Sequence, residues 1–121
     1  LYPLALDVFK TVECLGRRIA LIGDMLELGE QAEALHAEAG RWLAEERIDL
    51  LITVGTLTQH LLQAAHKAGF PAGKSWGFKN AKEAGEMLSR VIQSGDVILL
   101  KGSRKIEMEQ EFACFTLSST H

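Results

Sequence analysis

The 121 residues, 47% hydrophobic and 24% charged, suit a single globular domain with a buried core. The formal net charge of −3, with no basic stripe, argues against a nucleic-acid partner. No apolar run approaches the roughly 20 residues that cross a bilayer, and the first residues lack the pattern of a signal peptide. We therefore expect one cytoplasmic domain over residues 1–121, without a membrane partner.

Helix and strand patterns alternate along the chain. Almost continuously apolar runs predict strands at residues 19–22, 50–54 and 97–100, and a weaker pattern predicts a strand at residues 76–78. Such runs are typical of strands buried on both faces of a parallel sheet. Apolar residues three and four apart predict helices before and between these strands, with the following side chains on their inner faces: Ala5, Val8, Phe9 and Val12; Ala32, Leu35, Ala39, Trp42 and Leu43; Leu57, Leu61, Ala65 and Ala68; Ala84, Met87, Leu88 and Val91.

Cap residues agree with these helices. Thr56 and Asn80 each stand three residues before a side chain that can reach back to them, as in a capping box. Gly69, followed by Pro71, is expected to end the middle helix. A last helix is predicted to begin near Ser103, and residues 110–121 are expected to be an atypical, frayed tail. This order predicts an α/β domain, a Rossmann-like three-layer sandwich whose mostly parallel sheet has helices on both faces.

Two turns follow predicted strands at the edge where ligands of an open parallel sheet gather. The acidic turn, residues 23–30, follows the first strand, and the cationic turn, residues 101–104, follows the last. The cationic turn offers Lys101 and Arg104, a glycine, and a hydroxyl expected at a helix N-terminus, which together suit a carboxylate or a phosphate. A solvated basic turn capped by Ser103 is an equal alternative.

For the acidic turn, the residue pattern alone favours a structural function. Asp24 and Glu27 can cap the helix that follows them, or place negative charge near its N-terminus, where the helix dipole favours it. His36 lies one to two turns into that helix, where it could brace the acidic turn, although a lone histidine is more often structural or exposed. The pattern therefore leaves both a structural and a functional interpretation open.

Other motifs in the chain do not support a nucleotide or metal site. The segment ending in Gly73, Lys74 and Ser75 has the last three residues of a phosphate loop, but it has one residue too few between its glycines and leads into a strand. No G-x-G-x-x-G fingerprint follows any predicted strand. Cys14 and Cys114 belong to no Cys/His cluster with metal-ligand spacing, so we expect no metal site.

Two segments carry a resemblance to a known family. Residues 18–30, which read RIALIGDMLELGE and are followed by His36 and Gly40, resemble the MurF branch of the Mur ligases. Residues 96–104, which read DVILLKGSR, resemble the second signature of that branch. The resemblance covers roughly residues 4–109, and its two motifs are at the separation that the branch shows.

The resemblance implies the C-terminal domain of an ATP-dependent ligase that joins D-alanyl-D-alanine to UDP-MurNAc-tripeptide in peptidoglycan precursor synthesis. ATP and magnesium would bind mainly to a central ATPase domain, the partner on which this domain closes. No catalytic residue is expected in this chain, so the chain alone should be inactive. The implied substrate-binding residues are Lys101, Gly102, Ser103, Arg104, Asp24 and Glu27, and the implied loop-supporting residues are Gly23, Gly29 and His36.

Two alternatives belong to other functional classes. A stand-alone module could bind a small anion or a nucleotide at the strand ends without catalysis, since these residues form no complete catalytic set. A scaffold could instead dock the same edge on a partner protein.

Overall fold

The computed structural model describes residues 16–46, 48–103 and 110–116. The strands are β1 (Arg18–Gly23), β2 (Leu50–Val54), β3 (Ser75–Phe78), β4 (Val97–Ser103) and β5 (Gln110–Thr116). The helices are α1 (Ala32–Glu45), α2 (Thr58–Lys67) and α3 (Ala81–Val91). Two 3₁₀ turns, Leu26–Gln31 and Ala72–Lys74, precede α1 and β3.

The five strands form one sheet in the order β3-β2-β1-β4-β5. The first four are parallel, and β5 runs antiparallel to β4. The chain moves through α1 and α2 toward one side of β1, and α3 then carries it back to β4 on the other side. Since parallel crossovers are right-handed, this reversal places α1 and α2 on one face and α3 on the other. The predicted Rossmann-like three-layer sandwich is confirmed.

Each face of the sheet carries its own apolar core. Alternate side chains such as Ile22 and Leu99 pack with α1 and α2, whereas Ile19 and Ile98 pack with Ala84 of α3. Because helices pack on both faces of the sheet, most side chains of both alternate sets are buried, and Leu21, Val54 and Leu100 are partly buried. This double burial explains the continuous apolar runs in the sequence.

The predicted strands and the three helices between them are confirmed, including the weak strand near Trp76. Asn80 caps α3 by accepting from the Glu83 N–H at 2.9 Å. The chain leaves α2 at Gly69, whose N–H donates to the His66 carbonyl at 3.0 Å. The opening helix was predicted within residues 1–15, which lie outside the described residues.

Two predictions are wrong. Thr56 does not cap α2 through its side chain, because α2 begins at Thr58 and has no cap from a side chain at its own N-cap position. The last helix does not begin near Ser103, because β4 extends to Ser103 and pairs with Gln110 of β5. Without β5, β4 would be an edge strand with unpaired backbone groups, and the antiparallel partner satisfies them.

An ion pair lies at the edge where the parallel strands begin. Asp96 is 1% exposed, and its carboxylate accepts from the backbone N–H of Arg17 at 2.9 Å, from Arg17 Nη2 at 2.8 Å and from the Gln93 N–H at 2.8 Å. Burial opposes the ionisation of Asp96, but the hydrogen bonds and the charge of Arg17 outweigh it, so the pKa of Asp96 lies below its ordinary value. The ionised carboxylate is therefore the form that stabilises the fold.

Asp96→Asn is expected to lower the free energy of unfolding at neutral pH by about 2 kcal/mol, the usual contribution of hydrogen bonds to a charged group. The folded pKa is below the unfolded value of about 3.9, so this stabilisation is complete above that value and is lost as the pH falls through the folded pKa. Urea unfolding from about pH 7 to about pH 2 should show a smaller acid-induced loss in the variant than in the wild type. Glu86→Gln, which alters an exposed carboxylate on α3, is the control. The same acid-induced loss in Asp96→Asn and the wild type would contradict the assignment.

Candidate functional site

The topological switch point of the sheet lies between β1 and β4, where the direction of the strand order reverses. Such a switch point, at the C-terminal ends of the strands, is where open α/β sheets bind ligands. Ile22 of β1 is paired with Lys101 of β4, so the residues that follow them, Gly23 and Gly102, are neighbours. The acidic turn therefore begins beside the cationic turn at one edge of the sheet, as the sequence predicted. The predicted end of the strand at residue 100 is wrong, however, since residues 101–103 of the cationic turn continue β4.

Asp24, the second residue of the acidic turn, holds the start of α2. Its Oδ1 accepts from the Thr58 N–H at 2.9 Å, and its Oδ2 accepts from the N–H groups of Thr56 at 3.1 Å and Leu57 at 3.2 Å. These are donors that the first turn of a helix leaves without an intrahelical acceptor. The carboxylate does cap a helix, but that helix is α2 rather than the one that follows the acidic turn.

Gly55 permits this contact. Its φ is +117°, a conformation that other residues rarely adopt, and its N–H donates to the Phe78 carbonyl at 2.8 Å. A Cβ at Gly55 would lie 2.5 Å from Asp24 Cγ, far inside van der Waals contact. The turn of residues 55–57 is thus shaped around the Asp24 carboxylate.

His36 joins the acidic turn to α1. The ring is fully buried, with Nε2 3.0 Å from the Met25 backbone nitrogen and Nδ1 2.6 Å from the Ala32 carbonyl oxygen. A backbone N–H can only donate, so Nε2 accepts and the ring proton is on Nδ1, which donates to Ala32. Consecutive residues of the acidic turn, Asp24 and Met25, are therefore bonded to two different helices.

Lys101 is a buried cation next to the switch point. It is 7% exposed, and strand alternation places it on the same face as Val97 and Leu99, toward α1 and α2. Burial lowers the pKa of Lys101, because the ammonium has lost part of its hydration. An anion bound nearby would offset that loss and favour the charged form.

The other predicted site residues that the structure describes lie in β1, in the 3₁₀ turn Leu26–Gln31 and in β4. Gly23 is the last residue of β1 and pairs with Val54, whereas Glu27 and the exposed Gly29 lie in the 3₁₀ turn Leu26–Gln31. Ser103 is in β4 and not at a helix N-terminus, so any anion contact there would lack help from a helix dipole. Arg104 lies outside the described residues.

Sequence reasoning placed Gly55 and Thr56 at this edge, directly after the second predicted strand, but it missed the contact of the turn of residues 55–57 with Asp24. Its signal in the sequence was a glycine directly after a predicted strand, but nothing in the chain order connects Gly55 with Asp24. The contact spans more than thirty residues and depends on β1 and β2 being neighbours in the sheet.

The segment that resembles a phosphate loop has a different structure. Residues Ala72–Lys74 form a 3₁₀ turn that leads into β3, as the sequence predicted, although the strand begins at Ser75 and not at Trp76. Ser75 Oγ is 2.5 Å from His66 Nε2. These residues precede β3, so they lie at the edge of the sheet opposite to the switch point.

Within residues 16–46, 48–103 and 110–116, no three His, Cys, Asp or Glu side chains lie close enough together to bind a metal ion.

Among the helices of the described part of the chain, none has the length and apolar character needed to traverse a bilayer.

Comparisons with known proteins agree on one family. The family described as "Mur ligase, glutamate ligase domain" matches residues 4–104. The chain is 29% identical over 106 residues to the UDP-N-acetylmuramoyl-tripeptide--D-alanyl-D-alanine ligase of Bacillus subtilis (strain 168), covering 88% of this chain and 23% of the relative. It is 32% identical over 95 residues to the ligase of the same name from Escherichia coli (strain K12), covering 78% and 20%.

Solved structures give the same result. A crystal structure of MurF from Acinetobacter baumannii superposes with a TM-score of 0.67 and 28% identity, covering 88% of this chain and 23% of that one. The chain therefore spans only about a fifth to a quarter of the length of the relatives that it matches.

Proposed function

This chain belongs to the Mur ligase family, as a C-terminal glutamate ligase domain, and from that premise we propose that it serves a MurF-type ligase. The proposed reaction joins D-alanyl-D-alanine to UDP-MurNAc-tripeptide with ATP, in the cytoplasm, during peptidoglycan precursor synthesis. The names of the relatives support the substrates. The observation in this chain that carries the proposal is the buried Lys101 beside the acidic turn at the switch point.

In this proposal the domain closes on a central ATPase domain, which binds ATP and magnesium. We assign no catalytic residue to this chain, and we propose that the chain alone does not turn over ATP.

The reaction sets a positioning problem. By the family resemblance, ATP transfers its terminal phosphoryl group to the tripeptide carboxylate, which gives an acyl phosphate and ADP. The dipeptide amine then attacks the acyl carbon, loses a proton and displaces inorganic phosphate. The amine must be held close to that carbon and shielded from water, which is the use of a domain that closes over its substrates. The dipeptide has a carboxylate at its other end, and binding that carboxylate would fix the direction of the amine.

We propose that the cationic turn binds the dipeptide carboxylate. Lys101 supplies a poorly hydrated charge, Gly102 allows close approach of the backbone, and Ser103 and Arg104 supply further donors. Asp24 and Glu27 form the opposite side of the cleft in this proposal. Gly23, Gly29 and His36 support the acidic turn.

Replacing Lys101 and Arg104 by Ala, in a full-length ligase that contains this chain, is expected to raise the KM for D-alanyl-D-alanine about a hundredfold or more, because two charged hydrogen bonds of about 1.5–3 kcal/mol each are lost. The KM for ATP should stay unchanged. Steady-state kinetics with each substrate varied in turn measures both constants. The control is the pair Lys82→Ala and Arg90→Ala, two exposed cations on α3. An unchanged dipeptide KM in the Lys101 and Arg104 variant would remove the proposed carboxylate site.

A further inference from the structure

A carboxylate connects two turns at the edge of the sheet where the proposed substrate binds. We propose that Asp24 is a positioning residue of the ligase: it joins residues 23–25 and 55–57 into one rigid cleft wall, without contacting substrate itself. This inference rests on the proposed function and assigns a part of the cleft, residues 55–57, that the family resemblance did not indicate.

The Asp24 carboxylate is fully engaged in hydrogen bonds within the domain. Both oxygens accept hydrogen bonds, Oδ1 from Thr58 and Oδ2 from Thr56 and Leu57. Gly55 lies directly against the same carboxyl group. An amine of the substrate would have to compete with three backbone donors, so Asp24 acts on the substrate only through the turns that it holds.

The cleft wall is anchored to both helices that cover one face of the sheet. Asp24 is bonded to the start of α2, and the next residue, Met25, donates to His36 of α1. The two helices pack closely at Gly40, whose Cα lies against the Leu61 backbone. Because both anchors belong to this packed pair, residues 23–25 and 55–57 move with the domain when it closes.

A helix N-terminus with free N–H groups attracts anions, and α2 begins at the same edge as the cationic turn. Asp24 occupies these donors at the start of α2, so in this proposal the substrate carboxylate binds on the β4 side of the switch point. The pairing of Ile22 with Lys101 makes that side the neighbour of the wall.

Asp24→Asn, in a full-length ligase that contains this chain, tests the proposal. The amide has nearly the shape of the carboxylate, but its NH₂ group faces N–H donors and cannot accept from them. We expect the KM for D-alanyl-D-alanine to rise about tenfold, while kcat and the KM for ATP change less than about twofold. A loss of folded enzyme would instead lower kcat and leave both KM values unchanged.

The matched control is Asp49→Asn. Asp49 Oδ2 accepts from the Arg18 backbone N–H at 2.7 Å, so the variant removes the same kind of bond at the opposite edge of the sheet. Its dipeptide KM should stay at the wild-type value. An unchanged dipeptide KM in Asp24→Asn, or an equal rise in both variants, would overturn the positioning role.

A second variant covers the case in which Asp24→Asn folds poorly. Asp24→Gly leaves a space that formate can enter, and formate has the carboxylate that α2 has lost. We expect formate to lower the dipeptide KM of Asp24→Gly toward the wild-type value and chloride at equal concentration to have no effect. No formate effect would contradict the proposal. A ligase with the unaltered chain that fails to join the dipeptide would reject the proposed function itself, before either variant is compared.

Discussion

Alanine at Gly40 is expected to lower the free energy of unfolding by about 3 kcal/mol or more, because it adds a methyl group where two helices touch. A Cβ at Gly40 would lie 2.9 Å from the Leu61 carbonyl carbon, 3.1 Å from the Ala65 nitrogen, and closer still to the Leu61 carbonyl oxygen. These are backbone atoms of α2, so no single side chain can turn aside. The helices would have to separate, and the packing of Leu43 and Leu61 in the core would loosen with them.

Gly85→Ala is the matched control for this prediction. Gly85 lies in α3, is exposed, and has no atom within 4 Å of the position that its Cβ would take. Alanine there should stabilise the domain by about 0.5–1 kcal/mol through helix propensity. Urea unfolding of both variants measures the difference. A Gly40→Ala domain as stable as the wild type would show that α1 and α2 are not in contact at this position.

Alanine at Gly55 is expected to have a comparable or larger effect, about 3–5 kcal/mol, because two costs combine. The φ of +117° strains any residue with a Cβ by about 1–3 kcal/mol. In addition, the new Cβ would collide with the Asp24 carboxyl group, at 2.5 Å from Cγ and 2.6 Å from Oδ2. Displacing that group breaks its charge-assisted hydrogen bonds to the start of α2, a loss of about 1.5–3 kcal/mol.

Gly69→Ala separates these two costs. Gly69 has a similar φ of +110°, but nothing lies within 4 Å of the position of its Cβ, so only the backbone strain applies. Urea unfolding should therefore show a clearly larger loss for Gly55→Ala than for Gly69→Ala. The double variant Gly55→Ala with Asp24→Ala should be less destabilised than the sum of its single variants, because the second change removes the collision. Full additivity would show that the two residues do not interact.

Much of the fold could be predicted because its information is local. The apolar runs of β1, β2 and β4 reflect burial on two faces, and the helix stripes reflect burial on one, so each pattern is set by its own residues. The cap of α3 at Asn80 is also local, since donor and acceptor are three residues apart. The prediction failed near Ser103, where strand formation depends on pairing with β5 and no short segment shows that partner.

In the candidate site too, the features set by neighbouring residues could be predicted, whereas those that depend on distant partners could not. The acidic and cationic turns were predicted to lie side by side because parallel strands end at one edge, and the pairing of Ile22 with Lys101 confirms it. The capping capacity of Asp24 was also evident in the sequence, but the helix that it caps was not. A carboxylate can accept from any N–H group that the fold brings near. Chain order pointed to the helix that follows the acidic turn, whereas the fold brings the start of α2 to Asp24.

The amino-acid sequence by itself determined the class of fold, the helices and strands between residues 18 and 100, and the acidic turn that follows β1, because periodic burial and strand-end position are written in neighbouring residues. It did not show that residues 101–103 continue β4. Only the tertiary structure decided that Asp24 serves α2, that His36 holds Met25, and that Lys101 is buried. Hydrogen bonds and desolvation depend on which groups are in contact in the folded domain. These contacts are set by strand order and helix packing and join residues that are distant in the sequence.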